Sequence, residues 1–280
     1  MRIVCAASEM FCFTVEKFLR GYELYPREKV DILVMGVERD TSRALPPVLD
    51  SGTRLLVFVE PYTDRRRRDK LVGSLVSKYQ PGELMFVTHT SSDLRDLTAL
   101  SLKGYRILFI PLYVLLANPV RSLIVDKASI VTTLNDCELL DRLGRSFVKM
   151  GAYERIVQIG EKPCNSPYVS TVYTVDISAF IDAFMTAIVE EKDSLNYLLA
   201  SVFYANSKPI IICGNMEDIK YTDQRSGLVE RLKECSDNLI LHALVSMWRR
   251  IEQLRKFSAI PLEKPGPGLI SELRAFLNRE

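Results

Sequence analysis

Strand-length apolar runs separated by amphipathic stretches of helix length recur through the first half of the chain. This alternation narrows the possible folds more than any other feature. Arg2 to Ala7, Val30 to Val37, Arg54 to Val59, Glu83 to Thr88 and Tyr105 to Ile110 are the runs. Most are continuously apolar, as strands covered on both faces are. Between them, Glu9 to Tyr22 carries Phe11, Val15, Phe18 and Leu19 at helical spacing, and Arg65 to Tyr79 carries Leu71, Leu75, Val76 and Tyr79. Ser92 to Leu102 is a third helix, closed by Gly104. Thr41 to Asp50 holds Pro46-Pro47, so any helix there is short. Strand and helix in alternation imply βαβ units, and right-handed crossovers leave few topologies. The expected fold class is α/β: a Rossmann-like three-layer fold with a mostly parallel sheet.

The second half reads as richer in helix. Ile130 to Thr133, Ile156 to Ile159, Val172 to Val175 and Lys208 to Gly214 are strand candidates. Asp136 to Lys149 is a helix with Asn135 or Asp136 as its N-cap. Ile177 to Ala205 reads as a long helical stretch broken near Asp193-Ser194, and Gln224 to Phe257 as helical almost throughout. Pro261 to Gly268 punctuates the chain before a terminal helix, Leu269 to Leu277. With Asn118-Pro119 marking a boundary, the expected parts are a Rossmann-like domain over residues 1–125, a second α/β to helical region over 126–260, and a tail helix over 261–280.

Composition sets limits. With 48% apolar and 26% charged residues, the chain can bury a large core and is not disordered. Lys and Arg exceed Asp and Glu by 37 to 35, a net charge of +2, which removes the long-range field of a general nucleic-acid binder. No run approaches the roughly 18 apolar residues of a membrane span, and the opening, Met1 to Glu9, is too short and too charged for a signal peptide. Six scattered cysteines contain no Cys-x-x-Cys pair and read as reduced, buried thiols of a cytoplasmic protein. Two isolated histidines and no ligand spacing give no metal site, and no cofactor is expected.

Ligands of parallel sheets bind beyond the carboxyl ends of the strands. Those turns are Ala6-Ala7-Ser8-Glu9, Glu60-Pro61-Tyr62-Thr63-Asp64, Thr88-His89-Thr90-Ser91-Ser92-Asp93 and Gly214-Asn215. Thr88 to Ser92 gathers four hydroxyls and an imidazole ahead of a helix, a setting for a phosphate or carboxylate. Ser91, Ser92 and Asp93 are equally N-cap candidates, and both uses stand. His89 suits general acid/base work or a structural role; His242 sits in a core-rich helix. Arg65 to Arg68 reads as a solvated helix face, with a phosphate clamp by one arginine as the alternative. P-loop, Gly-x-Gly-x-x-Gly and Gly-x-Ser-x-Gly motifs are absent.

Ile3-Val4-Cys5-Ala6-Ala7-Ser8, Leu55 to Val59 with its turn at Thr63, Leu84 to Leu100 and Ile107 to Pro111 follow one another in an order that resembles the sugar isomerase (SIS) domain, over residues 2–112. The resemblance implies a phosphosugar-binding fold of aldose–ketose isomerases and their regulators. It places Ser8, Thr63, Thr88, Thr90 and Ser91 on the phosphate and His89 or Glu60 on the proton transfer. A second resemblance, Val175-Asp176-Ile177-Ser178-Ala179-Phe180, is to the CRISPR-associated type of ligand-sensing Rossmann-like domain. The expected function is binding of a phosphorylated small molecule, with sugar-phosphate isomerisation as its catalytic form. The alternative is a non-catalytic nucleotide sensor or structural module, in which the C-terminal helices carry a homo-oligomer or protein-partner interface.

Overall fold

The structure is a computed structural model and describes residues 2–25, 30–36, 53–61, 63–115, 129–151, 155–160, 162–173, 186–190, 194–205, 208–214, 228–254 and 266–278. Pro46-Pro47, Tyr62, Asn118-Pro119, Val175 to Phe180 and Asn215 lie outside the described residues. The chain divides into two units, Met1–Leu116 with Lys264–Glu280, and Ala117–Glu263. The tail therefore groups with the first unit.

In that unit β1 (Arg2–Ala6), β2 (Val30–Met35), β3 (Arg54–Val59), β4 (Leu84–Thr88) and β5 (Arg106–Phe109) form a parallel sheet in the order β1-β2-β3-β4-β5. Helix α1 (Glu9–Gly21) follows β1, α2 (Arg65–Val76) follows β3, α3 (Ser91–Ser101) follows β4 and the short α4 (Leu112–Leu115) follows β5. Every residue of β4 is buried, and β3 is buried from Leu55 onward. Leu71, Val72 and Leu75 of α2 and Leu97 of α3 pack on Leu55, Val57, Val59 and Phe86. Phe58, alternating to the other face, meets the ring of His89, which also touches Phe11 of α1.

The tail helix, Pro267–Asn278, buries Leu273, Phe276 and Leu277. Arg54 donates to the Phe276 carbonyl at 2.7 Å and lies over its ring, and Arg274 donates to the Tyr22 carbonyl at 3.2 Å.

The second unit contains β6 (Ser129–Thr132), α5 (Cys137–Met150), β7 (Arg155–Ile159), β8 (Val169–Val172), β9 (Thr186–Glu190), α6 (Ser194–Ala205), β10 (Ile210–Cys213), β11 (Val229–Leu232) and α7 (Asp237–Leu254); the tail helix is α8. Its sheet is parallel, in the order β11-β10-β9-β6-β7-β8. The chain winds outward from β6 to β8, returns to the other side of β6 and winds outward again, the doubly wound Rossmann order. Leu139, Leu140, Leu143 and Phe147 of α5 and Ile240, Ala243, Leu244 and Met247 of α7 share one core with Ile130, Ile156, Ile188 and Ile211. Helix α6 packs against β9 and β10 and is buried from Asn196 to Ala205.

Gly144 of α5 is required by close approach. A methyl group there would lie 2.3 Å from Cβ of Tyr168, the root of a side chain and not its movable end. Gly144→Ala is therefore expected to destabilise the chain by about 1–3 kcal/mol despite alanine's better helix propensity, read as a lower urea midpoint. An unchanged or higher midpoint would contradict this packing.

Three expectations are corrected. The stretch from Ile177 does not run as one helix: Thr186–Glu190 is strand β9 and the helix starts only at Ser194. Thr186-Ala187-Ile188-Val189 is a short apolar run, which periodicity cannot assign between strand and buried helix. Gln224 to Phe257 likewise contains β11, with helix only from Asp237. Finally, the cysteines are not reduced thiols. They form Cys5–Cys12, Cys137–Cys164 and Cys213–Cys235, and none is free. The fold brings residues 7, 27 and 22 apart in sequence to Cα separations of 5.9, 5.3 and 5.3 Å, within bridging range. Such pairs persist in oxidising surroundings and in intracellular proteins of hyperthermophiles. Among the described helices, none is long and apolar enough to cross a membrane.

Candidate functional site

The carboxyl rim of the first sheet holds every residue expected to contact ligand. Ser8 is the N-cap of α1, accepting from the Phe11 amide. Its hydroxyl donates to Oε1 of Glu60, and its backbone N–H donates to Oε2 at 3.3 Å. Glu60, just past β3, is 1% exposed. Its carboxylate fills the place at the α1 N-terminus that an incoming anion would take. Gly36, past β2, makes room for it: a Cβ at Gly36 would collide with Oε2.

Thr63 is buried and donates to the Glu60 carbonyl at 2.7 Å, so its hydroxyl closes its own turn. Thr88 ends β4 fully buried, and its Oγ1 has no hydrogen-bond partner among the described residues. Thr90 caps α3: it accepts from the Asp93 amide at 3.0 Å and donates to Oδ2 of Asp93 at 2.6 Å. Ser91 opens α3, partly exposed.

His89 has no accessible surface. Its Nδ1 lies 2.8 Å from the Ile110 carbonyl and so carries the proton. Phe11 stands edge-on to the ring at 5.3 Å between centroids, and Phe58 stacks at 6.2 Å. Burial pushes the imidazole down to about 4, against a smaller upward pull from the Ile110 carbonyl. The ring is neutral at physiological pH, and its surroundings are aromatic.

The arginine run divides. Arg65, Arg66 and Arg67 are exposed, as a solvated face requires. Arg68 is 2% exposed and pairs with Asp93 and Asp96, so it is neither solvated nor available to a phosphate. His242 is exposed on α7.

In the second unit a different rim stands out, one that sequence reading passed over. Strand order changes direction between β6 and β9, the point beyond whose carboxyl ends doubly wound sheets place their ligands. The turn Thr133-Leu134-Asn135-Asp136 links β6 to α5, with Asp136 as N-cap accepting from the Leu139 amide at 3.0 Å. Thr133 donates to Oδ1 of Asn196 in the first turn of α6, tying the turn after β6 to that helix.

Behind the turn lies Gln158 of β7, 1% exposed. Its Nε2 donates to the Leu134 carbonyl at 3.0 Å, and its Oε1 accepts from Thr171 at 3.0 Å. The buried amide is satisfied on both sides, so it fixes the turn and is not a free hook. Gly160 leaves space for the exposed Asn135: a Cβ would stand 3.1 Å from Oδ1 of Asn135. The exposed Glu190 ends β9, two residues beyond the rung pairing Thr132 with Ile188, and Lys162 lies exposed in the β7–β8 turn. The signal in the sequence was Thr132 to Asp136, hydroxyls and amides before an amphipathic helix, the same pattern weighed at Thr88 to Ser92. Among the described residues, no His, Cys, Asp and Glu cluster could hold a metal ion.

No protein-family model matches the chain, and no curated protein matches it. Among solved structures it is similar to the glycotransferase of kitacinnamycin, at 14% identity and a TM-score of 0.42 over 96% of this chain and 78% of that one. It is also similar to the GtfA/B complex, at 11% identity and a TM-score of 0.41 over 96% of this chain and 59% of that one. The chain thus spans less than two thirds of the GtfA/B chain it matches.

Proposed function

We propose that the chain binds a phosphorylated, hydroxyl-bearing small molecule, a sugar phosphate or nucleotide, in the crevice of its second unit. The observation that carries this is the reversal of strand order between β6 and β9, the point where doubly wound sheets place their ligands. The side chains at that rim suit the ligand class. The exposed Glu190 and Glu138 carboxylates accept from sugar hydroxyls, Asn135 both donates and accepts, and Lys162 is a cation for phosphate.

Isomerisation receives less support. It needs an acid/base group against the sugar, and both His89 and Glu60 are enclosed, at 0% and 1% exposure. Binding, with or without turnover, is therefore the better founded reading.

A thermal-shift screen of hexose phosphates and nucleoside phosphates tests it. A ligand at a hundredfold excess over its Kd should stabilise the chain by about 2.7 kcal/mol, a rise of several degrees in Tm. Asn135→Ala, at an exposed rim position, should weaken that ligand roughly three- to tenfold, the worth of one neutral hydrogen bond. No shift with either class would end the proposal. A shift that Asn135→Ala leaves intact, and Ser8→Ala removes, would move the site to the first unit.

A further inference from the structure

Two of the three disulfides cross-link the turns at the carboxyl rim of the second sheet. Cys137 is the first residue of α5, two positions after Asn135. Its partner Cys164 lies in the β7–β8 turn, four positions after Gly160. Cys213 ends β10 and is bridged to Cys235, which precedes α7.

We propose that the Cys137–Cys164 bridge is a redox-dependent clamp on the crevice, so that ligand binding depends on the oxidation state of this pair. The inference rests on the ligand reading above, but its structural half stands apart from it.

The bridge spans the two turns that carry the rim. Asn135, on one, and Gly160, at the start of the other, approach so that a Cβ at Gly160 would stand 3.1 Å from Oδ1 of Asn135. Beside the bridge, Gln158 donates to the Leu134 carbonyl and to Oδ1 of Asn135 at 3.5 Å, and Ser166 donates to Asp141 at 2.7 Å. The Cys164 amide is held by Thr171 at 3.3 Å. Opening the bridge removes the covalent tie between the Asn135 turn and its neighbour and leaves hydrogen bonds and the packing of Leu134 and Cys164 to hold them.

Access is one-sided. Cys164 is buried at 8% exposure within the α5 core, whereas Cys137 is only partly buried. A thiolate from solvent therefore reaches the Cys137 sulfur first. With a dithiol reductant, attack breaks the S–S bond, releases Cys164 as thiolate and forms a mixed disulfide at Cys137. The reductant's second thiol then displaces Cys137 and closes into a cyclic disulfide. Two electrons and two protons pass to the cysteines, leaving both as thiols, and one equivalent of dithiol is oxidised.

The decisive measurement is amide hydrogen exchange of the full chain, oxidised against dithiothreitol-treated, beside a C137S/C164S variant and a C5S/C12S control. Reduction and C137S/C164S should each speed exchange at residues 133–136, 162 and 164 tenfold or more, while β3 and β4 stay protected and C5S/C12S leaves those residues unchanged. In parallel, glucose 6-phosphate and adenosine 5′-monophosphate are titrated into both redox states, and whichever binds the oxidised chain should bind the reduced one at least tenfold more weakly. Unchanged exchange at 133–136 overturns the clamp, as does a uniform acceleration across both units, which would make the bridge a support of the whole fold. Faster local exchange with neither probe bound would uphold the clamp and count against the ligand reading alone. Reoxidation with oxidised glutathione should restore slow exchange.

Discussion

Arg68→Ala is expected to cost about 3–5 kcal/mol, the range for stripping one partner from a buried ion pair. Arg68 is the largest fully buried side chain among the described residues. One of its amino groups donates to Oδ1 of Asp93, itself 3% exposed, and the other to Oδ2 of Asp96 at 2.6 Å. Burial alone would lower the guanidinium's pKa, but hydrogen bonds and charge from Asp96 and Asp93 outweigh it and hold it above its ordinary value.

Alanine would leave the Asp93 carboxylate buried without the Arg68 charge, and Asp93 also anchors the cap of α3. The same change at the exposed Arg66, two residues away, should stay within about 0.5 kcal/mol. Urea denaturation of the two variants measures the contrast; equal midpoints would refute the burial of Arg68. Lysine should not rescue the site, since its compact ammonium lacks the planar guanidinium whose two separate amino groups reach Asp93 and Asp96.

Acid should weaken this pairing in a defined window. Asp96 is held below the ordinary carboxyl value of 3.8, chiefly by the hydrogen bond from Arg68. Its contribution is complete above that value and is lost as pH falls through the lowered native one.

His89 gives the second large effect, at milder pH. The unfolded chain takes up a proton near 6.5, whereas the native ring does so only near 4. Between those values the unfolded state binds the extra proton, so stability falls as pH drops from 6.5 toward 4 and is level above 6.5. The loss amounts to about 3 kcal/mol over that interval. His89→Gln keeps a donor for the Ile110 carbonyl and removes the titration, so its stability should decline less across the same range. Urea midpoints at pH 7.5 and 4.5 for both proteins provide the comparison. Parallel declines would show that His89 is accessible and that its enclosure by Phe11 and Phe58 is wrong.

Both effects fall on residues that the sequence marks for ligands. Thr88 to Asp93 does what a polar turn ahead of a helix does at least: Thr90 caps α3 and Asp93 answers Arg68. Whether such hydroxyls face inward or outward depends on neighbours brought from elsewhere, here Phe11, Phe58 and Ile110, which close over His89. The run of four arginines shows the same dependence. Only Arg68 turns beneath α3, because the helical period points it there and Asp93 and Asp96 wait on the facing helix.

Local pattern was sufficient for the strands of the first unit. Runs such as Leu55 to Val59 and Leu84 to Thr88 are too apolar to face water on either side, so they had to become central parallel strands under helices. Alternation of such runs with amphipathic stretches carries the α/β class by itself, since burial of apolar faces is a property of local spacing. Strand order is another matter. That β9 returns beside β6, bringing Thr133 against Asn196, depends on which edges pair across more than fifty residues, and no local spacing encodes it. The disulfides follow the same rule: pairing Cys137 with Cys164 needs the β6 and β7 turns side by side, which only the assembled sheet provides.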